Sequence, residues 1–324
     1  MSLQPEQPPE PTSTKGATRR VGVEIEFAGV EVVDAADLVR ELFGGRLVRV
    51  DEHRVRVEGA RFGDFMVELD SMYAHPDDGN AVVSKLKGKM KDKVAGAIGD
   101  IVGLWLPNEI VAPPVPYDQL GELDRLIGAL RAHNAEGTGA SVFYGFGLQL
   151  NPEVAATDVD YILRHLRAYL ILSPWLRQQI EIDVTRRLLP FADPFPEEYA
   201  RRVLAPDYLP DLDGLIRDYV AANPSRNREL DLMPLFMELA PEVTRSLVDD
   251  PHIKARPTFH YRLPNAQLDD PGWVGVVGEW NRWVAVERLA ADRSRLEGAC
   301  AGVHARLEQD ARAGWIDWLK ERLA

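Results

Sequence analysis

The sequence predicts an α+β fold in which an antiparallel sheet carries helices packed on one face. Apolar and polar residues alternate at period two in several early segments, as in half-buried strands, whereas helical spacing dominates the last third. Strands clustered early and helices clustered late favour an antiparallel sheet over repeated βαβ units. We find no internal repeat and no long linker, so 324 residues are predicted to form one large domain.

The first 18 residues are rich in proline, glutamate, serine and threonine, and we expect a disordered tail at 1–18 before a folded domain at 19–324. Strand patterns then occur at 21–30, 47–73, 108–116, 141–153 and 256–265. Helical patterns occur at 35–45, 81–104, 118–135, 157–180, within 190–250, at 276–290 and at 293–324. Glycines 44 and 45 are predicted to end the first helix, Asp118 to cap the third, and Pro174 to bend the fourth.

Charge and cysteine content exclude several classes of partner and compartment. The net charge of −13 argues against nucleic acid and anionic membranes, because both are polyanions. Cys300 is the single cysteine, so no intramolecular disulfide forms, and a reducing compartment is the simpler expectation. With no membrane-length apolar run and no signal-peptide pattern, we expect a cytoplasmic protein. The aromatic residues of the C-terminal helices permit a homo-oligomer.

Two glutamates lie two residues apart in the apolar segment GVEIEF. Residues i and i+2 of a strand face the same side, so Glu24 and Glu26 are predicted to lie side by side. Like charges this close repel unless a cation separates them, and Mg²⁺ prefers such oxygen ligands. The alternative is a polar strand face in solvent, with the apolar residues between them in the core.

Three further segments also place side chains with oxygen ligands in an apolar strand pattern. FMVELD carries Glu68 and Asp70, NEIVAPP carries Glu109, and FGLQLN carries Gln149 and Asn151. Four strands with oxygen ligands at period two predict one polar, metal-collecting sheet face. A merely solvated face is again the alternative.

The segment RPTFHYRL supplies the opposite charge. Arg256, Thr258, His260 and Arg262 share one face at period two, and the arginine fork suits phosphate or carboxylate oxygens. Acidic strands for Mg²⁺ and a basic strand for phosphates together predict a nucleoside triphosphate site. The alternative is that the arginines neutralise the acids as internal ion pairs.

The ordered series GVEIEF, ELDS, EIVAPP and GLQLN resembles the amidoligase family, distant relatives of glutamine synthetase and glutamate–cysteine ligase. That family shows G-x-E-x-E-F, an acidic residue with serine, E-[LI]-V-[ST]-P-P and G-[LF]-H-x-[HN] in this order, and then an arginine strand. The resemblance covers about residues 19–290. It implies a glutamine-synthetase-like antiparallel sheet forming a half-open funnel with Mg²⁺ and ATP inside. It also implies that a carboxylate is activated as an acyl phosphate and captured by an amine.

The resemblance assigns roles to residues at matching positions. Gln149 and Asn151 stand where the family has histidine or asparagine, and Gln149 cannot transfer a proton. The arginine match falls on Arg256 or Arg262, with His260 as a neighbour. The predicted sites are metal ligands at Glu24, Glu26, Glu68, Glu109 and Gln149, nucleotide contacts at Asp70, Ser71 and Asn151, and catalytic groups at Arg262, Arg256 and His260.

The predicted function is therefore an ATP- and Mg²⁺-dependent ligase that joins small-molecule or peptide carboxylates and amines. Two alternatives stay open at this point: a non-catalytic binding or scaffold protein on the same fold, and a metal-dependent hydrolase. ATP-dependent phosphate release distinguishes the first from the other two.

Overall fold

An eight-stranded antiparallel sheet organises the protein, as the sequence predicts. The computed structural model describes residues 3–69, 107–137, 146–180 and 193–323, with side chains of the last helix described to residue 310. The strand order is β2-β3-β4-β5-β1-β6-β8-β7, and every paired neighbour is antiparallel. The strands are β1 (Arg20–Phe27), β2 (Arg46–Arg49), β3 (Arg54–Ala60), β4 (Gly63–Leu69), β5 (Asn108–Pro116), β6 (Leu148–Pro152), β7 (Leu230–Asp231) and β8 (His260–Tyr261).

Nine α-helices occur within the described ranges. They are α1 (Val32–Phe43), α2 (Gly121–Ala132), α3 (Val159–Gln179), α4 (Glu197–Leu204), α5 (Leu212–Ala222), α6 (Met233–Leu239), α7 (Pro241–Leu247), α8 (Gly275–Ala291) and α9 (Arg293–Leu323). Helix α1 packs on β3 and β4, and α8 packs against α3 and α2. None of the described helices is both long and apolar enough to cross a membrane.

Strand β1 lies near the middle of the sheet because its alternation suits one apolar and one polar face. Val21, Val23, Ile25 and Phe27 are fully buried, while the residues between them are half-buried. Burying each such side chain contributes about 1.5–3 kcal/mol. This alternation fixes which face the two glutamates occupy.

Strand β5 continues through Pro113 and Pro114 and spans the whole segment predicted at 108–116. Its register against β1 shifts by one residue between Val21 and Val23, opposite Pro113 and Pro114. A bulge leaves a residue out of the hydrogen-bond ladder, so prolines that lack an N–H are tolerated there.

Two helix starts and one helix interior differ from the predicted pattern. Asp118 lies in a 3-10 turn (Tyr117–Gln119), and α2 begins after it without a side-chain cap. Helix α3 continues through Pro174, and Asp158 caps it by accepting a hydrogen bond from the Tyr161 backbone N–H. Gly44 ends α1 with a positive φ of 76°, as expected for glycine at this position.

The N-terminal segment has a defined path along α8, which differs from the predicted disordered tail at 1–18. The Glu6 carbonyl accepts a hydrogen bond from Trp280 Nε1, and the Glu6 N–H donates to Asn281. At the end of the segment, Arg19 and Glu287 form a buried bidentate ion pair with both N–O distances at 2.7 Å. The segment is therefore held by its backbone groups and by the ion pair of Arg19 with Glu287, and its polar composition does not indicate either contact.

Some predicted features lie outside the described residues. These are the helix at 81–104, the first residues of the strand pattern at 141–153, Asp70 and Ser71.

Candidate functional site

A row of three glutamates crosses the polar face of β1, β5 and β4. Glu26 is paired with Glu109, and Glu109 is paired with Glu68. Directly opposed residues of an antiparallel pair lie on the same face with Cβ atoms about 5 Å apart. All three side chains are half-buried. We call these three residues the carboxylate row.

Glu24 begins a second row with different neighbours. It is paired with Gln149, whose Nε2 donates to Glu24 Oε1 at 3.1 Å, and Asn151 Nδ2 donates to the same oxygen at 2.8 Å. One carboxylate oxygen therefore accepts two amide N–H groups. Glu26 instead accepts a backbone hydrogen bond from Gly147 at 2.6 Å.

Gly22 makes room for this arrangement. It is paired with Asn151, and a Cβ atom at Gly22 would lie 3.3 Å from Asn151 Cβ and 3.5 Å from Asn151 Nδ2. The first of these two contacts is tighter than ordinary van der Waals contact. Gly22, the first residue of GVEIEF, thus leaves space for the Asn151 side chain beside β1, where it donates to Glu24.

His260 on β8 continues the hydrogen-bonded group. Its Nδ1 lies 3.1 Å from Gln149 Nε2, an N–H donor that also contacts Glu24 Oε1 and Asn151 Oδ1, and this contact favours the tautomer in which Nε2 carries the proton. Desolvation lowers the pKa of His260 well below its usual range, and the charges of Arg262, Arg256 and Arg226 lower it further. The imidazole is neutral at physiological pH.

Arg262 has a different carboxylate partner from those the sequence suggested. Its Nη2 donates to Asp231 Oδ2 at 3.1 Å. Asp231 is fully buried and also accepts the Met233 backbone N–H. Desolvation raises the pKa of Asp231, and Arg262 opposes that shift.

The strand predicted at 256–265 is much shorter in the structure. Strand β8 contains two residues, Thr258 makes an isolated bridge to Glu153, and Arg256 is exposed outside the strand. Thr258 and His260 lie beside β6 in the same sheet, and Arg256 does not. Pro257 cannot donate to a ladder, which is consistent with the late start of β8.

Two charged residues near this group were missed by sequence reasoning. Asp231 interrupts the apolar series Leu230, Leu232 and Met233, and an acid inside such a run could have indicated a buried ion pair. Arg226 acts on both His260 and Asp231, but it precedes β7 in an irregular segment where no periodicity points to it.

The side chains on this face suit magnesium in donor type. Within the described ranges, no three His, Cys, Asp or Glu side chains form a cluster that could hold a metal ion. Mg²⁺ usually takes only one or two protein carboxylates and completes its shell with waters and phosphate oxygens. Neighbouring carboxylates in the carboxylate row fit that chemistry. A groove of about 380 Å³ beside α4 and α9 has no sheet residue in its lining and is separate from this face.

Comparison with known proteins agrees with the resemblance seen in the motifs. A family model described as a putative amidoligase enzyme matches residues 17–285. The chain belongs to this amidoligase family, since the match covers most of its length. Amide-bond ligation is the general activity that the family suggests for it. No curated protein and no solved structure matches the chain significantly.

Proposed function

We propose that this protein is an ATP- and Mg²⁺-dependent carboxylate–amine ligase that works through an acyl phosphate. The observation that carries the proposal is the carboxylate row, Glu26–Glu109–Glu68, in direct register on one face of the central strands. Membership of the amidoligase family supports the reaction class. The guanidinium groups near β8 add the positive charge that a phosphate-handling face needs.

Glu26 and Glu109 are the residues that would hold Mg²⁺, with Glu68 next to Glu109 in the carboxylate row. A magnesium ion bound there would neutralise charge on the nucleotide phosphates. Cross-strand pairing brings two carboxylates side by side on a half-buried surface, and carboxylate oxygens are the ligands that a hard divalent cation takes. This is the reason for assigning the metal to this row.

Glu24 has a separate task in the proposal. The amides of Gln149 and Asn151 hold one of its oxygens, so its carboxylate orientation is fixed. Neither amide can accept or release a proton at working pH. Their contribution is therefore to position Glu24 and to bind polar groups, with no part in proton transfer.

The proposed reaction has two steps. A carboxylate oxygen of the acid attacks the γ-phosphorus of ATP, the bond from that phosphorus to the bridging oxygen breaks, and ADP leaves. The amine nitrogen then attacks the acyl carbon, inorganic phosphate leaves, and the nitrogen releases a proton to solvent. Arg262 and Arg256 would stabilise charge on the transferred oxygens, because preorganised donors act most strongly where charge develops.

The test begins with binding. Titration calorimetry with a non-hydrolysable ATP analogue should show binding that requires Mg²⁺, and the pair should raise the melting temperature. A ligand at a hundredfold excess over its Kd stabilises the native state by about 2.7 kcal/mol. No nucleotide binding at millimolar concentration, with or without metal, contradicts the proposal.

Turnover is tested separately by a phosphate-release screen against amino acids, other amines, carboxylates and peptides. A ligase releases phosphate from ATP only when an acid and an amine are both present. Nucleotide binding without turnover on any pair favours a binding protein, for which the amides at 149 and 151 are the specific support. Metal-dependent product release without ATP favours a hydrolase.

A further inference from the structure

Two buried polar side chains near β8 lack hydrogen-bond partners. Thr258 and His260 are 8% and 6% exposed, and within the described part of the chain no group bonds to Thr258 Oγ1 or His260 Nε2. A buried polar group without a partner costs about 1–3 kcal/mol. These two groups lie two residues apart, and a single partner bound to both would remove this cost.

The chemistry of both groups suits an acceptor-rich ligand. In the tautomer that the contact with Gln149 favours, His260 Nε2 carries the proton and is a donor. The Thr258 hydroxyl is also able to donate. The missing partner is therefore one that offers oxygen lone pairs.

The local charge is positive. Arg226, Arg256 and Arg262 all act on His260. Asp231 pairs with Arg262, and Asp250 lies 4.0 Å from Arg226. Arg262 and Arg226 thus each have a carboxylate partner, and the Arg256 side chain is at the exposed end of the group.

We propose that Thr258, His260 and Arg256 form a binding site for an oxyanion, either a carboxylate or a phosphate. The site extends from the exposed guanidinium of Arg256 to the buried imidazole of His260. That the oxyanion belongs to a substrate rests on the proposed ligase function, whereas its binding does not. Neither Thr258 nor His260 belongs to the motifs that define the family resemblance, so this chain's own residues carry the inference.

The experiment uses the full chain with inorganic phosphate and with acetate as probes, in EDTA and without nucleotide. Imidazole nitrogens are followed by NMR, and the His260 signals are identified by their loss in His260→Gln among the seven histidines of the chain. At least one probe should shift the His260 Nε2 resonance in a saturable manner. Saturation by phosphate alone identifies a phosphoryl source, saturation by acetate alone a carboxylate source, and saturation by both a general oxyanion site.

Two variants test the remaining members of the site. Thr258→Val keeps the shape and should lower probe affinity about tenfold while leaving the melting temperature unchanged or higher. Arg256→Gln should also lower affinity about tenfold, and Arg295→Gln is the matched control that removes an exposed arginine on α9. Each probe is titrated up to about 50 mM, a concentration at which a site with a Kd in the millimolar range is saturated. The proposal is overturned if the His260 resonance is unchanged throughout this titration. Variants that bind as well as the parent chain also overturn it.

These outcomes are distinguishable from failure of the ligase function. Probe binding without ATP-dependent turnover keeps the oxyanion site and removes the ligase. Turnover without probe binding keeps the ligase and removes the site.

Discussion

The two sides of β1 differ sharply in charge. Towards β5 and β4 the polar face carries the carboxylate row, whereas towards β6, β8 and β7 it carries amides, a neutral imidazole and guanidinium groups. Glu24 and Glu26 lie two residues apart on the same strand and have different side-chain neighbours. Glu24 accepts hydrogen bonds from amide side chains, and Glu26 is paired with Glu109.

This difference shows that a pair of acids in one motif need not act as a pair. Neighbouring strands set the surroundings of each carboxylate, and surroundings determine whether it binds a cation or accepts hydrogen bonds. The sequence presents the two glutamates as equal metal ligands, whereas cross-strand neighbours favour Glu26 for that role.

The largest expected effect comes from breaking the carboxylate row. Glu26→Gln should lower kcat/KM by about a thousandfold, about 4 kcal/mol in the barrier, because the neutral amide no longer attracts the cation. Calorimetry should show that nucleotide binding by this variant no longer responds to Mg²⁺.

Glu24→Gln is the matched comparison on the same strand, and Glu41→Gln is an exposed control on α1. Glu24→Gln should retain the Mg²⁺ response, and Glu41→Gln should behave as the parent chain. Equal loss of the Mg²⁺ response in Glu24→Gln and Glu26→Gln would show that the two sides of β1 form a single metal site.

The sequence predicts the acid side of the sheet better than the other side. Strands β1, β4 and β5 each have seven or more residues, so period-two alternation identifies both the strand and its polar face. Strands β7 and β8 have two residues each, which is too short for any periodicity.

Tertiary contacts account for what the sequence could not show on the other side. The ion pair between Arg262 and Asp231 joins residues 31 positions apart, and the contact between His260 and Gln149 spans 111 positions. Composition and spacing report local preferences, so partners this distant become visible only when the sheet order is known.

Arg262→Lys tests the basic side and should show the next largest effect. Lysine retains the charge that Asp231 needs but loses the planar fork, so turnover should fall by about 3 kcal/mol in the barrier with nucleotide affinity largely kept. Turnover and melting temperature should be measured on the same sample. Normal turnover with lowered stability would assign Arg262 to the fold alone, as the partner of Asp231.

Asp124 allows the pH dependence of the helical layer to be separated from that of the polar face. It accepts hydrogen bonds from the Val276 and Val277 backbone N–H groups at the start of α8, and desolvation raises its pKa to about 6. A raised pKa means that stability is greatest below the unfolded-state pKa and is lost as pH rises towards 6.

Asp124→Asn should remove that dependence. The free energy of unfolding of both proteins should be measured by urea unfolding at acidic and at neutral pH. The difference, variant minus parent, should be about 2–3 kcal/mol larger at neutral pH than at acidic pH. A constant difference across this range would contradict the assignment. The pH dependence that remains in Asp124→Asn belongs to other groups, including those of the polar face.

The smallest expected effect comes from Gly22→Ala, which acts at the boundary between the two sides. The added Cβ atom would lie 3.3 Å from Asn151 Cβ, so Asn151 must shift by a few tenths of an ångström and its 2.8 Å hydrogen bond to Glu24 must lengthen. Overpacking of this kind costs about 1 kcal/mol of stability. Turnover should fall about fivefold, which is about 1 kcal/mol in the barrier, through the altered orientation of Glu24.

Gly121→Ala is the control for this substitution, because no heavy atom lies within 4 Å of its added Cβ atom and alanine favours the start of α2. The Mg²⁺ response should be unchanged in Gly22→Ala, since Glu26 and Glu109 do not contact Asn151 through any hydrogen bond described above. Calorimetry reports Mg²⁺ binding by the carboxylate row, and turnover reports the orientation of Glu24. Measured together on Gly22→Ala, they therefore show whether the two sides of β1 act independently. If Gly22→Ala loses the Mg²⁺ response along with turnover, Asn151 and Glu24 belong to the metal site after all, and the division at β1 is wrong.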